Sequence, residues 1–450
     1  MNSYIQFINH ASILVGNEDN AILTDPWYGG SVFDDGWSLL YENKKEEIIE
    51  ILNKTSHIWI SHEHPDHFSI KFFNEYYEFI KNKVFLFQTT KDKRVKKFLE
   101  FKKLNIIEIE DGKKFEINEK FEIQVQKNDF YDSALIINLD NKKIINLNDC
   151  PLKDEKEIID FKKKYGTCDI LLSQFSYAAW KGGKKNILWR KTAAKEKLKT
   201  LKLQSKILSP KILIPFASFI YFSNFYNSYL NDSINFPSKV TDEFKSEKYR
   251  LMFLEPYQKL NLNNYIKEKN NFDFWEEKFN DIQNIKIDPI NDKNTFEDLR
   301  NNFLEYYRRM TKKNSKILMK FLRYLPIFNI FRPVVINFID LKTNIYIDLI
   351  NQTFIKTSKN AELSMHSKSI KLIFLQDYGF DTLTINGCFE EIEKNSFIKF
   401  TKSFSLGNLN NMGLSLNLNL LFNFKIIFLF LKKIFFVKNK LTYNYVKDFE

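Results

Sequence analysis

Short apolar runs alternate with longer amphipathic stretches through the first half of the chain. Tyr4–Phe7, Ser12–Val15 and Ala21–Thr24 read as strands, the first two joined through Asn9, His10 and Ala11. Glu46–Leu52 suits a short helix, and the run His57-Ile58-Trp59-Ile60 reads as a buried strand. Aromatic residues at helical spacing predict a helix over Phe68–Lys83, followed by a strand at Val84–Gln88 and a basic helix over Lys91–Phe101. Further strands are expected near Ile106–Ile109, Phe121–Gln126, Ala134–Leu139 and Ile144–Asn148. A lysine-rich helix from about Trp189 to Leu208 stops at Ser209-Pro210, and the strand Ile212–Ile214 follows. Tyr249–Leu254 and Lys259–Leu260 read as a hairpin-like return. Short strands with covering helices in this succession predict two sheets sandwiched between helices.

The second half reads differently. Residues 266–295 are charged and asparagine-rich, the pattern of a linker with short helices. Phe296–Leu325 is helical and amphipathic, and strand-like runs follow at Val334–Phe338, Ile345–Ile350, Ser369–Phe374 and Thr382–Ile385. The expected organisation is a first domain over 1–265, a linker over 266–295 and a smaller α+β domain over 296–450. That second domain carries no catalytic cluster; His366 reads as a surface or packing histidine, and a binding or homodimerisation role is expected. The apolar, lysine-interrupted run 424–437 is too short for the ~20 apolar residues that cross a bilayer. It reads either as a buried helix or as a peripheral membrane contact.

Composition narrows the partners. With 68 basic and 56 acidic side chains the formal charge is +12, which favours a small anionic substrate or an anionic membrane surface. The lysines are scattered, which argues against specific nucleic-acid binding. Cys150, Cys168 and Cys388 are widely separated and read as buried or free thiols of a reducing compartment. The first residues lack a basic region ahead of an apolar one, so a cytoplasmic location is expected.

The chemistry concentrates in Ser61-His62-Glu63-His64-Pro65-Asp66-His67, where three of the chain's six histidines fall together. An extended exit from the preceding strand puts His62 and His64 on one side, with Asp66 and His67 supplied by the turn beyond. Imidazoles and a carboxylate in that arrangement suit zinc, iron or manganese. Asp25-Pro26-Trp27 ends the third strand, and His10 either points toward the cluster or hydrogen-bonds the Asp25 loop. Trp27, Phe33 and Trp37, around a glycine-bearing loop, either wall a substrate pocket or pack that loop.

The His-x-His-x-Asp-His pattern resembles the signature of the metallo-β-lactamase fold superfamily, which implies an αββα sandwich with the cluster on a loop at its edge. Asp-Pro-Trp, the Gly36-Trp37 loop, Asn148-Asp149-Cys150 and Pro215-Phe216-Ala217 are similar to the metallo-β-lactamase-like domain of the CMP-N-acetylneuraminate hydroxylase family, over about the first 265 residues. The resemblance implies that Asp149 bridges two metals; a turn-forming aspartate is the alternative. It also places histidine ligands at two positions where this chain has Asn128 and Asn224, with Asp129 or Asp132 as replacements for the first. Asn224 is then a substrate-side residue. The hydroxylase's Rieske cluster needs two Cys-x-His/Cys-x-x-His pairs, which these 450 residues do not contain.

The expectation is a metal-dependent hydrolase using a metal-bound hydroxide on an anionic substrate, nucleotide-sugar or phosphorylated. His62, His64, Asp66, His67 and Asp149 hold one or two divalent ions, zinc first, with manganese or iron as alternatives, and Asp66 also orients the water. The competing expectations are a non-catalytic sugar-nucleotide or partner-binding protein, and an oxygenase component fed by a separate Rieske protein.

Overall fold

The computed structural model describes residues 3–421, apart from 129–131, 151, 265–267, 326–328 and 412. β1 (Tyr4–Asn9) and β2 (Ser12–Gly16) form an antiparallel hairpin, and β3 (Ala21–Thr24) pairs with β2. Past β4 (Trp37–Leu39) and α1 (Lys45–Lys54), β5 (His57–Ile60) lies parallel to β3. α2 (Ile70–Glu75) and α3 (Tyr77–Ile80) precede β6 (Val84–Gln88), and α4 (Arg94–Phe101) precedes β7 (Asn105–Ile109); both strands continue the sheet in parallel. The aromatic segment expected as one helix is therefore two, starting at Ser69, whose hydroxyl accepts from Phe72 N.

A second sheet begins with the meander β8 (Lys114–Asn118), β9 (Phe121–Asn128), β10 (Asp132–Leu139) and β11 (Lys142–Asn148). α5 (Glu155–Tyr165), β12 (Ile170–Gln174), α6 (Ile187–Leu208) and β13 (Ile212–Phe216) extend it in parallel. β14 (Ile220–Phe222) pairs with β4, and α7 (Pro237–Phe244) leads to β15 (Arg250–Leu251) and β16 (Lys259–Asn261). The resulting orders are β16-β1-β2-β3-β5-β6-β7 and β15-β13-β12-β11-β10-β9-β8, seven strands each. β15 and β16, expected as a hairpin-like return, do not pair with each other. β15 joins β13 in one sheet and β16 joins β1 in the other, each supplying partners to an otherwise open edge.

The period of two along the strands assigns the layers. In β5 and β6, Ile58, Ile60, Phe85 and Phe87 pack with Ile48, Leu52, Phe72, Phe73 and Leu99 of the helices outside the first sheet. Trp59 and Leu86 face the other way, into the cluster shared with Ile123, Leu135 and Ile137 of the second sheet. Phe161, Leu198 and Leu201 of α5 and α6 belong to that same cluster, covering the second sheet. The order from outside to outside is helix, sheet, sheet, helix.

α8 (Phe272–Asp281) lies in the segment expected as a linker, and it is packed. Trp275 is buried, donates its indole N–H to Leu254 O at 2.7 Å, and lies 4.1 Å from the Phe219 ring. The C-terminal residues form α9 (Phe296–Lys313), α10 (Lys316–Tyr324), β17 (Val334–Phe338), β18 (Thr343–Asp348), β19 (Thr353–Thr357), β20 (Leu363–Met365), α11 (Ser367–Leu375), α12 (Gly379–Asn386), β21 (Phe389–Glu391) and α13 (Ser396–Phe404). Their five strands order as β19-β18-β17-β20-β21. The runs Ser369–Phe374 and Thr382–Ile385, expected as strands, are helical. In α11 the buried Ile370, Ile373 and Phe374 recur at helical spacing, and the His366 ring caps the helix by accepting from Lys368 N.

These residues dock closely on the sandwich. Asn227 Nδ2 donates to both Gly36 O (2.9 Å) and Asn386 O (2.7 Å), and Asn386 Nδ2 donates to Phe33 O at 3.0 Å. Trp180 stacks among Phe389 and Phe397, so one apolar cluster runs through both parts. Among the described residues no helix is long and apolar enough to cross a membrane; the run 424–437 lies outside them.

Candidate metal centre

The candidate site sits where the carboxyl ends of β3, β5 and β11 meet, beside the β1–β2 turn. Ligand sites in open α/β sheets favour such strand ends. Asp25 follows β3, the histidine loop follows β5, Asn148 and Asp149 end β11, and His10 occupies the turn. His10, Asp25, Asn148 and Ala217, all at such ends, hold positive φ values of 36°, 36°, 55° and 47°. Backbone held there costs of order 1–3 kcal/mol per residue and persists where surrounding contacts enforce it. Ala217 N donates to His10 O at 2.9 Å, and Asp25 N donates to Trp59 O at 3.0 Å, two of those contacts.

Two groups of donor atoms converge. His10 Nε2 lies 3.5 Å from Asp66 Oδ2, and His67 Nε2 lies 3.1 Å from the same oxygen. His62 Nε2 and His67 Nε2 lie 3.9 and 3.8 Å from Asp149 Oδ2. Each set, His10/Asp66/His67 and His62/His67/Asp149, brings its ligand atoms within 4.8 Å of one another. His64 Nδ1 is 2.8 Å from His62 Nε2, and Asp132 Oδ1 is 3.8 Å from it. His10, His62, Asp66 and His67 form a buried floor; the side chains of Asp132 and Asp149 are 22% and 23% exposed and form the mouth.

Hydrogen bonds behind the rings decide which nitrogens are free. His67 Nδ1 faces Asp25 Oδ2 at 3.1 Å, and His62 Nδ1 faces Ser61 Oγ at 2.9 Å. With those Nδ1–H groups donated away, both Nε2 atoms face the site, where His67 must give up its Nε2 proton to ligate a cation. Burial pulls His62 well below 6.5, so its ring is neutral, as a ligand must be. Burial opposes charge on His67, yet the carboxylates of Asp66, Asp149 and Asp25 outweigh it and raise that ring well above 6.5. Burial likewise opposes ionisation of Asp66, but His67 and the bond from His10 outweigh it and hold the carboxyl well below 3.8.

The donor set fits a divalent cation. Among the described residues, Asp66 Oδ1 and Asn148 Oδ1 are buried without a hydrogen-bond partner, an arrangement that is costly unless something electropositive meets them. Four imidazoles and three carboxylates are a mixed set that serves zinc, manganese or iron.

The structure brings His62, His64, Asp66, His67, Asp149 and Asp132 together; Asp129 lies outside the described residues. Trp27, Phe33 and Trp37 are 1%, 4% and 3% exposed, so they pack the loop and do not wall an open pocket. Trp27 meets His10 edge-on at 5.5 Å and Phe33 meets His64 at 5.8 Å, which props both histidines from behind. Asn224 Oδ1 accepts from Tyr226 N within its own turn, and the residue lines a cavity of about 350 Å³ shared with Asp35, Asp292 and Lys368. Asn128 ends β9 opposite Asp132. Sequence reasoning left His10 open between two roles and missed Asp25 and Asp381 as partners of the histidines. Asp381 lies 317 residues from the histidine it meets, a pairing that no local pattern announces.

No family model matches the chain. A curated relative, the cytidine monophosphate-N-acetylneuraminic acid hydroxylase of Danio rerio, is 23% identical over 231 residues, 48% of this chain and 38% of that protein. Among solved structures, CmlA, a diiron β-hydroxylase from Streptomyces venezuelae, has a TM-score of 0.42 at 10% identity, covering 58% of this chain and 54% of its own. Igni18, a metallo hydrolase from the archaeon Ignicoccus hospitalis, has a TM-score of 0.41 at 15% identity, covering 58% and 98%. The chain thus spans 38% of the curated relative and 54% of CmlA. Its two seven-stranded sheets between helices form an αββα sandwich, with the histidine loop at the carboxyl ends of strands from both sheets.

Proposed function

We propose that this centre holds one or two divalent cations and hydrolyses a small anionic substrate. The observation that carries the reading is the convergence of His10, His62 and His67 Nε2 on the carboxylates of Asp66 and Asp149, at 3.5 to 3.9 Å for His10 and His62 and 3.1 to 3.8 Å for His67. His10, Asp66 and His67 would hold one ion, His62, His64 and Asp132 the other, with Asp149 between them. Bound there, the metal supplies Lewis acidity and makes water acidic enough to ionise near neutral pH.

The chain's own residues do the rest. Asp25 and Ser61 hold His67 and His62 in the tautomers that face the site. Asp66, with its low proton affinity, suits orienting a water better than storing its proton. Lys197 of α6 donates to Gln174 Oε1 at the carboxyl end of β12, beside the end of β11 that bears Asp149. Burial pulls Lys197 down to about 8, with Lys153 and Lys181 acting in the same direction and Asp149 and Asp132 against it. Lysines on this side of the mouth favour a phosphate or carboxylate group on the substrate.

The test is hydrolysis of phosphodiesters, phosphomonoesters, carboxylate-bearing esters and amides by chelator-stripped protein reloaded with zinc, manganese or ferrous iron. The expected result is turnover of one class by the loaded protein only, abolished in Asp149→Ala. A fully loaded protein inert on every class would overturn the hydrolase reading and leave a binding scaffold. The hydroxylase similarity favours a second reading, an oxygenase component supplied with electrons by a separate Rieske protein. Oxygen consumption dependent on such a donor, in the absence of hydrolysis, would support it.

A further inference from the structure

α12 of the C-terminal part reaches the histidine loop. Asp381, in its first turn, places Oδ2 3.2 Å from His64 Nε2, and among the described residues its carboxylate has no other ion-pair partner. The side chains of His64 and Asp381 are 29% and 33% exposed, so core packing does not account for the pairing. The segment around Asp381 is held against the sandwich by other contacts. The Arg94 guanidinium of α4 lies 4.5 Å from the Tyr378 ring centre and donates to Asn411 Oδ1 at 2.9 Å. Asn411 Nδ2 in turn donates to Asp377 O at 3.0 Å.

The consequence concerns the other side of the His64 ring. An Nε2–H donated to Asp381 turns Nδ1 toward His62 Nε2, 2.8 Å away, a hydrogen-bond distance that needs one proton between the two nitrogens and that a cation replaces when it takes up both lone pairs. Two ring nitrogens each about 2.0–2.1 Å from one tetrahedral ion stand roughly 3.4 Å apart, so a small opening of this pair admits the ion. We infer that Asp381 is a positioning residue of the metal centre: the C-terminal part supplies the carboxylate that orients His64 Nδ1 toward the ion shared with His62. Residues 296–421 are on this account part of the site's construction and not an appended module. The inference rests on the metal-centre reading above.

The experiment uses the full chain with Asp381→Leu, Asp381→Asn and Arg94→Ala, and Asp149→Ala as the reference for loss of metal. Affinity for zinc and cobalt is measured by competition with a chelator, together with the visible spectrum of the cobalt-loaded protein and its thermal midpoint. Removing a carboxylate behind a ligating histidine typically costs 10–100-fold in metal affinity. Asp381→Leu is therefore expected to lose about 10–100-fold for one ion and to alter the cobalt spectrum. Asp381→Asn, which keeps an acceptor, loses less, and Arg94→Ala, which loosens the same docking without touching His64, binds as wild type. Wild-type affinity and spectrum in Asp381→Leu, while Asp149→Ala loses metal, would overturn the inference alone. An equal loss in Arg94→Ala would overturn it too, by tracing the effect to docking. Wild-type binding by Asp149→Ala would instead remove the metal-centre reading on which it rests.

Discussion

Asp25 Oδ2 lies 3.1 Å from His67 Nδ1, and the same carboxylate accepts from Ser61 N at 2.7 Å and Asn148 Nδ2 at 2.5 Å. One buried side chain thus ties the end of β3 to the histidine loop and to the end of β11. Asp25→Asn keeps the size but not the charge behind His67, and is expected to weaken metal affinity by about 10–100-fold. Asp25→Ala removes the buried acceptor shared by three donors and is expected to cost about 3–5 kcal/mol of stability. Chelator competition and urea unfolding separate the two effects. Unchanged affinity in Asp25→Asn would contradict the role assigned to it.

Lys197 gives the pH dependence a sign. The unfolded chain keeps its proton up to an ordinary 10.5, whereas the folded chain releases it near 8 because burial disfavours the charge. Between those values the unfolded state binds more protons, so stability rises with pH through that window and this contribution is flat below it. Lys197→Met is expected to remove the rise, read as the difference between wild type and variant in urea midpoint at about pH 7 and about pH 9.5. As the charge is lost above 8, inhibition by inorganic phosphate is expected to weaken in wild type and not in the variant.

Trp275 tests whether α8 belongs to the first domain's core. Its ring is fully buried against Phe219 and Phe7. Trp275→Ala is expected to destabilise the protein by about 3–5 kcal/mol. A change under about 0.5 kcal/mol would be the result for a surface residue on a solvated linker.

Gly36 tests the docking of the C-terminal part. A Cβ there would lie 2.4 Å from Asn386 Cβ and 2.9 Å from Phe33 O. Gly36→Ala therefore forces α12 away from the loop, with an expected cost of about 1–3 kcal/mol. Thermal unfolding and protease sensitivity near residues 387–395 provide the readouts.

Much of the sandwich was legible because strand alternation and helix period are local signals. Ile58, Trp59 and Ile60 carried enough to place β5, and the histidine spacing carried enough to place a metal loop at its end. What local pattern could not supply was pairing between distant segments. Arg250–Leu251 and Lys259–Asn261 looked like partners because they are close in sequence, yet each found an open edge in a different sheet. Ser369–Phe374 is short and apolar enough for either element, and its cap at His366 decided for helix. Asp381, one residue ahead of the run Thr382–Ile385 expected as a strand, acquired meaning only when α12 came to rest on His64. Trp27, Phe33 and Trp37 illustrate a related limit: an aromatic loop beside a site supports the histidines from behind as readily as it lines a pocket.

The most direct measurement of the central claim is metal stoichiometry by elemental analysis after reconstitution and removal of free ions, with wild type beside Asp66→Ala and Asp149→Ala. The account predicts one or two equivalents in wild type, a loss of the ion held with His10 and His67 in Asp66→Ala, and the greatest loss in Asp149→Ala. A wild-type protein that retains no zinc, manganese or iron, or an Asp149→Ala variant that retains the full complement, would contradict it.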